Sequence, residues 1–401
     1  MIIEPKVRGF ICTTAHPEGC AGNIKNQISY VKEQGSITTG PKRVLVIGAS
    51  TGYGLASRIV STFGAGASTI GVFFEKAASG KRTASAGWYN SAAFEAQANQ
   101  VGVYAKSING DAFSDDIKQQ TIDMIKADWP EGVDLVVYSL ASPRRIHPKT
   151  GDVFNSTLKP IGDSTTNKTV NVMTGEVSDI TLDPANQEDI DNTVAVMGGE
   201  DWRMWVDALL EAGVLADGAQ TVAYSYVGPE LTRAIYREGT IGRAKVDLEK
   251  TADALEAQLQ KACNGHAFVS VNKGLVTQAS AAIPIVPLYF SLMFKVMKEK
   301  GLHEGCIEQI YRLFSDKLYA GSAVPVDDER RIRIDEKEMQ DDVQAEVFDL
   351  WKSVDTGNLE SVSDIKGYRH DFYNLFGFEV DGVNYGQDID PGVGIGSIAS
   401  E

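Results

Sequence analysis

The segment "IYREGTIGRAK" sets Tyr236 nine positions before Lys245, with Gly239 and Gly242 between them. A phenol has an ordinary pKa of about 10, so donating a proton or stabilising an enolate at neutral pH is helped by an adjacent ammonium. On an unbroken helix each residue turns about 100°, which puts positions nine apart on roughly opposite faces. Glycine permits the backbone angles of a sharp turn and is unfavourable inside a helix. The spacing therefore predicts a loop that carries Tyr236 back over a helix beginning near Ile241. Tyr224 and Tyr226 come just before, at the end of the strand-like run "QTVAYSYVG".

These side chains converge only if strand ends and helix starts share one edge of a sheet. "RVLVIGASTGYGLASRIVSTFG" reads as a strand, a glycine turn and an amphipathic helix, and "STIGVFFEK" as a second strand. "VYAKSINGDAFSDDIKQQTIDMIKADW" predicts a third strand with its helix, and the unbroken apolar run "VDLVVYSLASP" a strand buried on both faces. Residues 144–186 are rich in Thr, Asp and Asn and predict a hairpin or a long excursion. Alternation resumes with a helix at "DWRMWVDALLEAG", the strand carrying Tyr224, a helix from Ile241 to Ala262 and a strand at "AFVSVNKGLVT". The expected fold is α/β: a doubly wound parallel sheet of Rossmann type with insertions and a helical C-terminal extension. One elaborated domain over residues 1–401 is favoured over two, with its core at about 40–280 and the helical extension at about 281–401.

Gly48-Ala49-Ser50-Thr51-Gly52-Tyr53-Gly54 lies between the first strand and its helix. Glycines there let the backbone approach a pyrophosphate, and the helix N-terminus supplies unpaired N–H groups. Phe74 and Glu75 close the second strand, where an acidic side chain can bind both ribose hydroxyls and repel a 2′-phosphate. NADH is thereby favoured over NADPH. Asp111 and Ala112 follow the third strand, and Ser139 and Leu140 the fourth, on the edge where adenine and the nicotinamide ribose are expected. Lys245 is expected to serve twice, as the charge beside Tyr236 and as a donor to that ribose.

A formal net charge of -16 gives no electrostatic footprint for nucleic acid. The four cysteines are scattered without CxxC spacing, so reduced thiols and no metal site are expected. No apolar run approaches the roughly 20 residues that span a bilayer, and the start "MIIEPKVRGF" lacks a signal-peptide pattern. A cytoplasmic monomer with no membrane insertion is expected.

Over nearly its whole length the sequence resembles the trans-2-enoyl-CoA reductases and the related single-chain enoyl-acyl-carrier-protein reductases, an enlarged branch of the short-chain dehydrogenases. The resemblance rests on "RGFICTTAHPEGC", "GPKRVLVIGASTGYGLASRI", "GWYNSAAF", "VVYSLASPRR", "VMGGEDW", "AYSYVGPE", "KGLVTQASAAIP", "HEGCIEQIYRLF" and the Tyr236-x8-Lys245 spacing. It implies that Tyr236 is the proton donor, that Lys245 binds NADH and supports the tyrosine, and that Tyr226 contacts the substrate's thioester carbonyl. Leu275, Val276 and Thr277 look like the backbone segment that receives the nicotinamide carboxamide. Some relatives carry a second lysine after the first; Val246 stands there, and no role transfers to it. The implied reaction is NADH-dependent reduction of a short-chain trans-2-enoyl-CoA such as crotonyl-CoA, with an acyl-carrier-protein thioester as the alternative. A nucleotide-binding protein without turnover and a carbonyl or hydroxyacyl dehydrogenase are the readings from other classes.

Overall fold

In the computed structural model, which describes residues 1–399, the apolar run Arg43–Ile47 forms β1 near the middle of a seven-stranded sheet. The other strands are β2 (Ser68–Phe73), β3 (Ala105–Asn109), β4 (Val133–Tyr138), β5 (Leu215–Ser225), β6 (His266–Val271) and β7 (Arg331–Arg333). All pair in parallel, in the order β3-β2-β1-β4-β5-β6-β7. The helices are α1 (Pro17–Gln34), α2 (Gly52–Ile59), α3 (Ala86–Gln100), α4 (Asp115–Asp128), α5 (Gln187–Met197), α6 (Glu200–Glu211) and α7 (Thr240–Cys263). The C-terminal part adds α8 (Val286–Glu299), α9 (Cys306–Arg312), α10 (Asp341–Ser353), α11 (Leu359–Val362) and α12 (Ile365–Asn374).

Alternate residues of β1 explain why its apolar run has no breaks. Val44 and Val46 enter a core shared with Ile24 of α1, Leu55 of α2, Phe94 of α3 and Leu292 of α8. Leu45 and Ile47 point the other way, into a core with Ile117 of α4, Trp205 of α6 and Leu255 of α7. A strand covered on both faces has no solvent side to mark with polar residues. Strand order reverses direction between β1 and β4, so a crevice opens beyond their carboxyl ends, where ligands of such sheets bind.

Residues 144–186 contain two hairpins, Arg144–Ile146 with Val153–Asn155 and Thr165–Val170 with Val177–Leu182. The C-terminal region is not wholly helical: Arg331–Arg333 returns to the sheet and pairs with Val269–Val271 as its edge strand. No described helix is long and apolar enough to cross a membrane.

Candidate active site

The turn after β1 is built on close backbone approach. Gly48 has φ +88°, and a Cβ there would lie 2.0 Å from the Ser139 carbonyl oxygen; a Cβ on Gly54 would lie 1.9 Å from the Gly48 carbonyl oxygen. Only glycine brings the ends of β1 and β4 and the first turn of α2 together like this. Beyond the turn lies a cavity of about 550 Å³ walled by Gly48, Ser50, Thr51, Gly52, Tyr53, Phe74, Glu75, Asp111, Ala112, Ser139, Leu140 and Thr277. Ala49 does not reach it. Its side chain is fully buried and its N–H is bonded to the Val72 carbonyl.

Glu75 Oε1 accepts a hydrogen bond of 2.7 Å from the Ser50 hydroxyl, which ties the end of β2 to the glycine turn. Asn109 grips the Glu75 backbone from both sides, accepting from its N–H at 2.8 Å and donating to its carbonyl at 3.0 Å. Phe74 is 77% exposed, a large apolar face left uncovered at the cavity mouth. The Asp111 carboxylate accepts from the Phe113 N–H at 3.0 Å and fixes the loop after β3.

A second, smaller cavity of about 220 Å³ adjoins the first and shares Tyr53, Ser139, Leu140 and Thr277 with it. Its wall brings together Tyr224, Tyr226, Tyr236, Lys245 and Leu275. Val276 faces elsewhere, into a third cavity that Leu275 and Thr277 also border, beside α9 and α12.

Tyr236 occupies a turn that precedes α7 and lies over its start, while Lys245 sits on the helix itself. The two glycines act by proximity rather than by unusual backbone angles, since Gly239 has φ -88° and Gly242 lies within α7. A Cβ on Gly242 would meet the Arg237 carbonyl oxygen at 1.9 Å and that of Tyr236 at 2.6 Å. Arg237 then fastens the turn down, donating to both oxygens of Glu249 on α7 at 2.9 and 3.1 Å. The Tyr226 and Tyr236 rings meet edge to face with centroids 4.9 Å apart.

Burial raises Tyr236 well above the ordinary phenol range, and the Glu338 charge adds to the effect. Burial lowers Lys245 to about 8, against the opposing influence of Glu249. A tightly held phenolic proton thus shares a small cavity with an ammonium that loses its charge more readily than usual.

Behind these groups lies a buried layer that no local sequence pattern marks. Glu338, in the turn between β7 and α10, accepts from the Tyr226 and Tyr289 hydroxyls at 2.8 Å each and from the Gly274 N–H at 2.7 Å. Lys273, also buried, donates to the Gly274 carbonyl at 3.0 Å and stands 4.8 Å over the Phe294 ring. Asn272 turns its amide oxygen to the Ser270 hydroxyl at 2.7 Å, and its buried amide nitrogen has no partner.

Residues 82–319 match the family model described as the trans-2-enoyl-CoA reductase catalytic region, and residues 2–80 match the NAD(P)H binding domain of trans-2-enoyl-CoA reductase. The chain belongs to the trans-2-enoyl-CoA reductase family. Enzymes of this family are oxidoreductases acting on CH–CH bonds. This reductase is 52% identical to the trans-2-enoyl-CoA reductase of Treponema denticola, solved with NAD (TM-score 0.93, 97% of this chain and 98% of that one). It is 45% identical to that of Clostridium acetobutulicum, solved with NADH (TM-score 0.95, 98% of each chain). A curated relative from Coxiella burnetii, named enoyl-[acyl-carrier-protein] reductase [NADH], is 64% identical over 390 residues, which are 97% of this chain and 96% of that one.

Residues 326–389 of the reductase match a model described as an enoyl reductase FAD binding domain. The segment does not fit a flavin dinucleotide. Its one sheet strand, β7, is followed by the turn at Asp335 and by α10 with no glycine before Gly357, so no strand-glycine-helix cradle is formed. Ile365, Tyr368 and Phe372 of α12 are buried in the core, and Glu338 is sealed against Tyr226.

Proposed function

We propose that this reductase uses NADH to reduce the α,β double bond of a short-chain trans-2-enoyl-CoA such as crotonyl-CoA, acting as a cytoplasmic monomer in fatty acid metabolism. The observation that carries the reading is the shared wall of the two cavities. The larger has the glycine cradle and acidic ribose position expected for NADH, and the smaller gathers Tyr226, Tyr236 and Lys245. When bound, NADH supplies the hydride that adds to the β-carbon and leaves an enolate.

The residues of this chain then have distinct roles. Ser50, Thr51, Gly52 and Tyr53 at the start of α2 receive the pyrophosphate, with Gly48 and Ala49 shaping the turn beneath. Glu75 and Phe74 take the adenosine ribose side, Asp111 and Ala112 border the adenine, and Ser139 and Leu140 border the nicotinamide ribose. Lys245 donates to that ribose, and the Leu275-Val276-Thr277 backbone receives the carboxamide. Tyr226 bonds the thioester oxygen, where charge develops only after hydride arrives, and so acts on the transition state more than on the bound substrate. Tyr236 gives its proton to the α-carbon. A volume of about 220 Å³ beside the tyrosines has room for a short acyl chain.

A carrier-protein thioester is the second reading, favoured by the names of relatives that are 64% and 63% identical, from Coxiella burnetii and Flavobacterium johnsoniae. The chain's own net charge of -16 disfavours an acidic carrier protein. Initial rates of NADH oxidation with crotonyl-CoA, with the same acyl group on acyl carrier protein, and with NADPH in place of NADH separate these readings. Faster turnover of the CoA thioester supports the first and faster turnover of the carrier-protein thioester the second. No rate with either substrate returns the protein to a binding role.

A further inference from the structure

Glu338 has no exposed surface, and every hydrogen bond to its carboxyl oxygens comes from a donor. Oε1 receives the protons of Tyr226 and Tyr289, and Oε2 receives that of the Gly274 N–H. A phenol has a single proton to give. In this arrangement the proton of Tyr226 is committed to Glu338, so Tyr226 can offer a thioester oxygen nothing but lone pairs.

We propose that Glu338 is a positioning residue that sets the donor direction of Tyr226. When Glu338 is protonated, its O–H bonds the Tyr226 oxygen and the Tyr226 proton turns to the thioester oxygen. When Glu338 is ionised, that proton is withheld. The inference rests on the reading above that Tyr226 bonds the thioester carbonyl, and it gives the C-terminal segment a part in the chemistry.

The surroundings favour such a switch. From the loop after β6, Lys273 stabilises the ionised form while it is charged, although burial lowers Lys273 itself to about 8; burial of Glu338 outweighs this and holds the carboxyl above the ordinary range. Tyr226 faces it from the end of β5 and Tyr289 from α8. From α10 comes the neutral Gln344, which donates to the Glu338 carbonyl at 2.6 Å and to the Tyr289 hydroxyl at 3.1 Å. The nearby charges on its own turn look elsewhere: Asp335 is paired with Arg333 at 2.6 Å and Lys337 with Glu304 at 2.7 Å. A carboxyl raised in this way stays neutral to higher pH than usual. The donation by Tyr226 is complete below the Glu338 pKa and is lost as pH rises through it.

Glu338→Gln tests the proposal because its geometry is forced. The Gly274 N–H requires the amide oxygen at the Oε2 position, so the amide nitrogen takes the place of Oε1 and directs its two N–H groups at the two phenol oxygens. This variant holds the neutral arrangement at every pH. With NADH and crotonyl-CoA saturating, the wild-type kcat profile should show, besides the limb that Lys245 sets in both proteins, an alkaline limb from Glu338 that the variant lacks, whatever its absolute rate. Adding Glu338→Gln to Tyr226→Phe should leave the profile of the single Tyr226→Phe variant unchanged. A Glu338→Gln profile with the same limbs as wild type overturns the proposal. Full wild-type turnover by Tyr226→Phe sinks the reading on which it rests, whereas impaired Tyr226→Phe with an unaltered Glu338→Gln profile sinks the inference alone. If Glu338→Gln does not fold, Tyr289→Phe serves instead. It removes one donor to the ionised carboxylate and should move the limb upward by roughly half a pH unit or more. A limb that stays in place there also overturns the proposal.

Discussion

Tyr236 and Lys245 wall the same cavity because Gly242 leaves room for the turn carrying Tyr236 to rest on the helix carrying Lys245. Glycine here does steric rather than conformational work. A methyl group at Gly242 has to push the Arg237 carbonyl away, and the tyrosine moves with it. Gly242→Ala should therefore cost about 10²-fold in kcat, the order expected when a reacting group is displaced by an ångström. NADH affinity should change less. Steady-state rates and NADH titration on the same preparation check this; an unaltered kcat would mean the turn has slack that the close contacts conceal.

Removing the phenol alone should separate chemistry from binding. Tyr236→Phe keeps the ring and its edge-to-face contact with Tyr226 but has no proton to give. A loss of about 10²- to 10⁴-fold in kcat is expected, the usual range for a positioned general acid. Fluorescence titration should give a near-normal NADH Kd. Wild-type turnover would remove Tyr236 from catalysis.

Lys245 predicts a pH dependence in cofactor binding. With its pKa lowered to about 8, its charge is present below that pH and fades above it. NADH affinity should accordingly weaken as pH rises beyond about 8, with the bound anion holding the proton to somewhat higher pH in the complex. Lys245→Met should bind NADH roughly tenfold to a hundredfold more weakly, in line with a lost charge-assisted hydrogen bond of about 1.5–3 kcal/mol. Its Kd should not respond to pH in this range. Equal affinities in the two proteins would contradict the ribose role.

The Glu75 carboxylate, held by Ser50, should exclude a 2′-phosphate by charge as well as bind the ribose. Glu75→Ala should narrow the preference for NADH over NADPH by about tenfold, equivalent to ~1.4 kcal/mol. The ratio of kcat/KM values for the two cofactors reads this directly. An unchanged ratio would place cofactor discrimination on other side chains.

Much of this was legible because the signals are local. The run Arg43–Ile47, the glycines at 48, 52 and 54 and the start of α7 at Thr240 each announce themselves within a few residues. The loop over α7 was also legible, although glycine's role there is clearance and not torsion. Glu338 gave no such sign. It stands in "IDEKEMQDD", a charged run that reads as solvated surface, and nothing within that run records that Tyr226, just past β5, and a buried tyrosine from α8 meet there. Lys273 likewise looks like an ordinary strand-end lysine until α8 closes over it. Strand β7 is three residues long and rich in arginine, too short and too polar to read as part of a sheet.

That short strand governs how the chain can be cut. It covers the outer edge of β6, and the turn behind it carries Glu338. A fragment ending near residue 319, where the catalytic-region match stops, would expose Val269–Val271 as a naked edge with open N–H and C=O groups. Bare edges recruit other strands, so such a truncation should be lost to self-association before its activity is ever assayed.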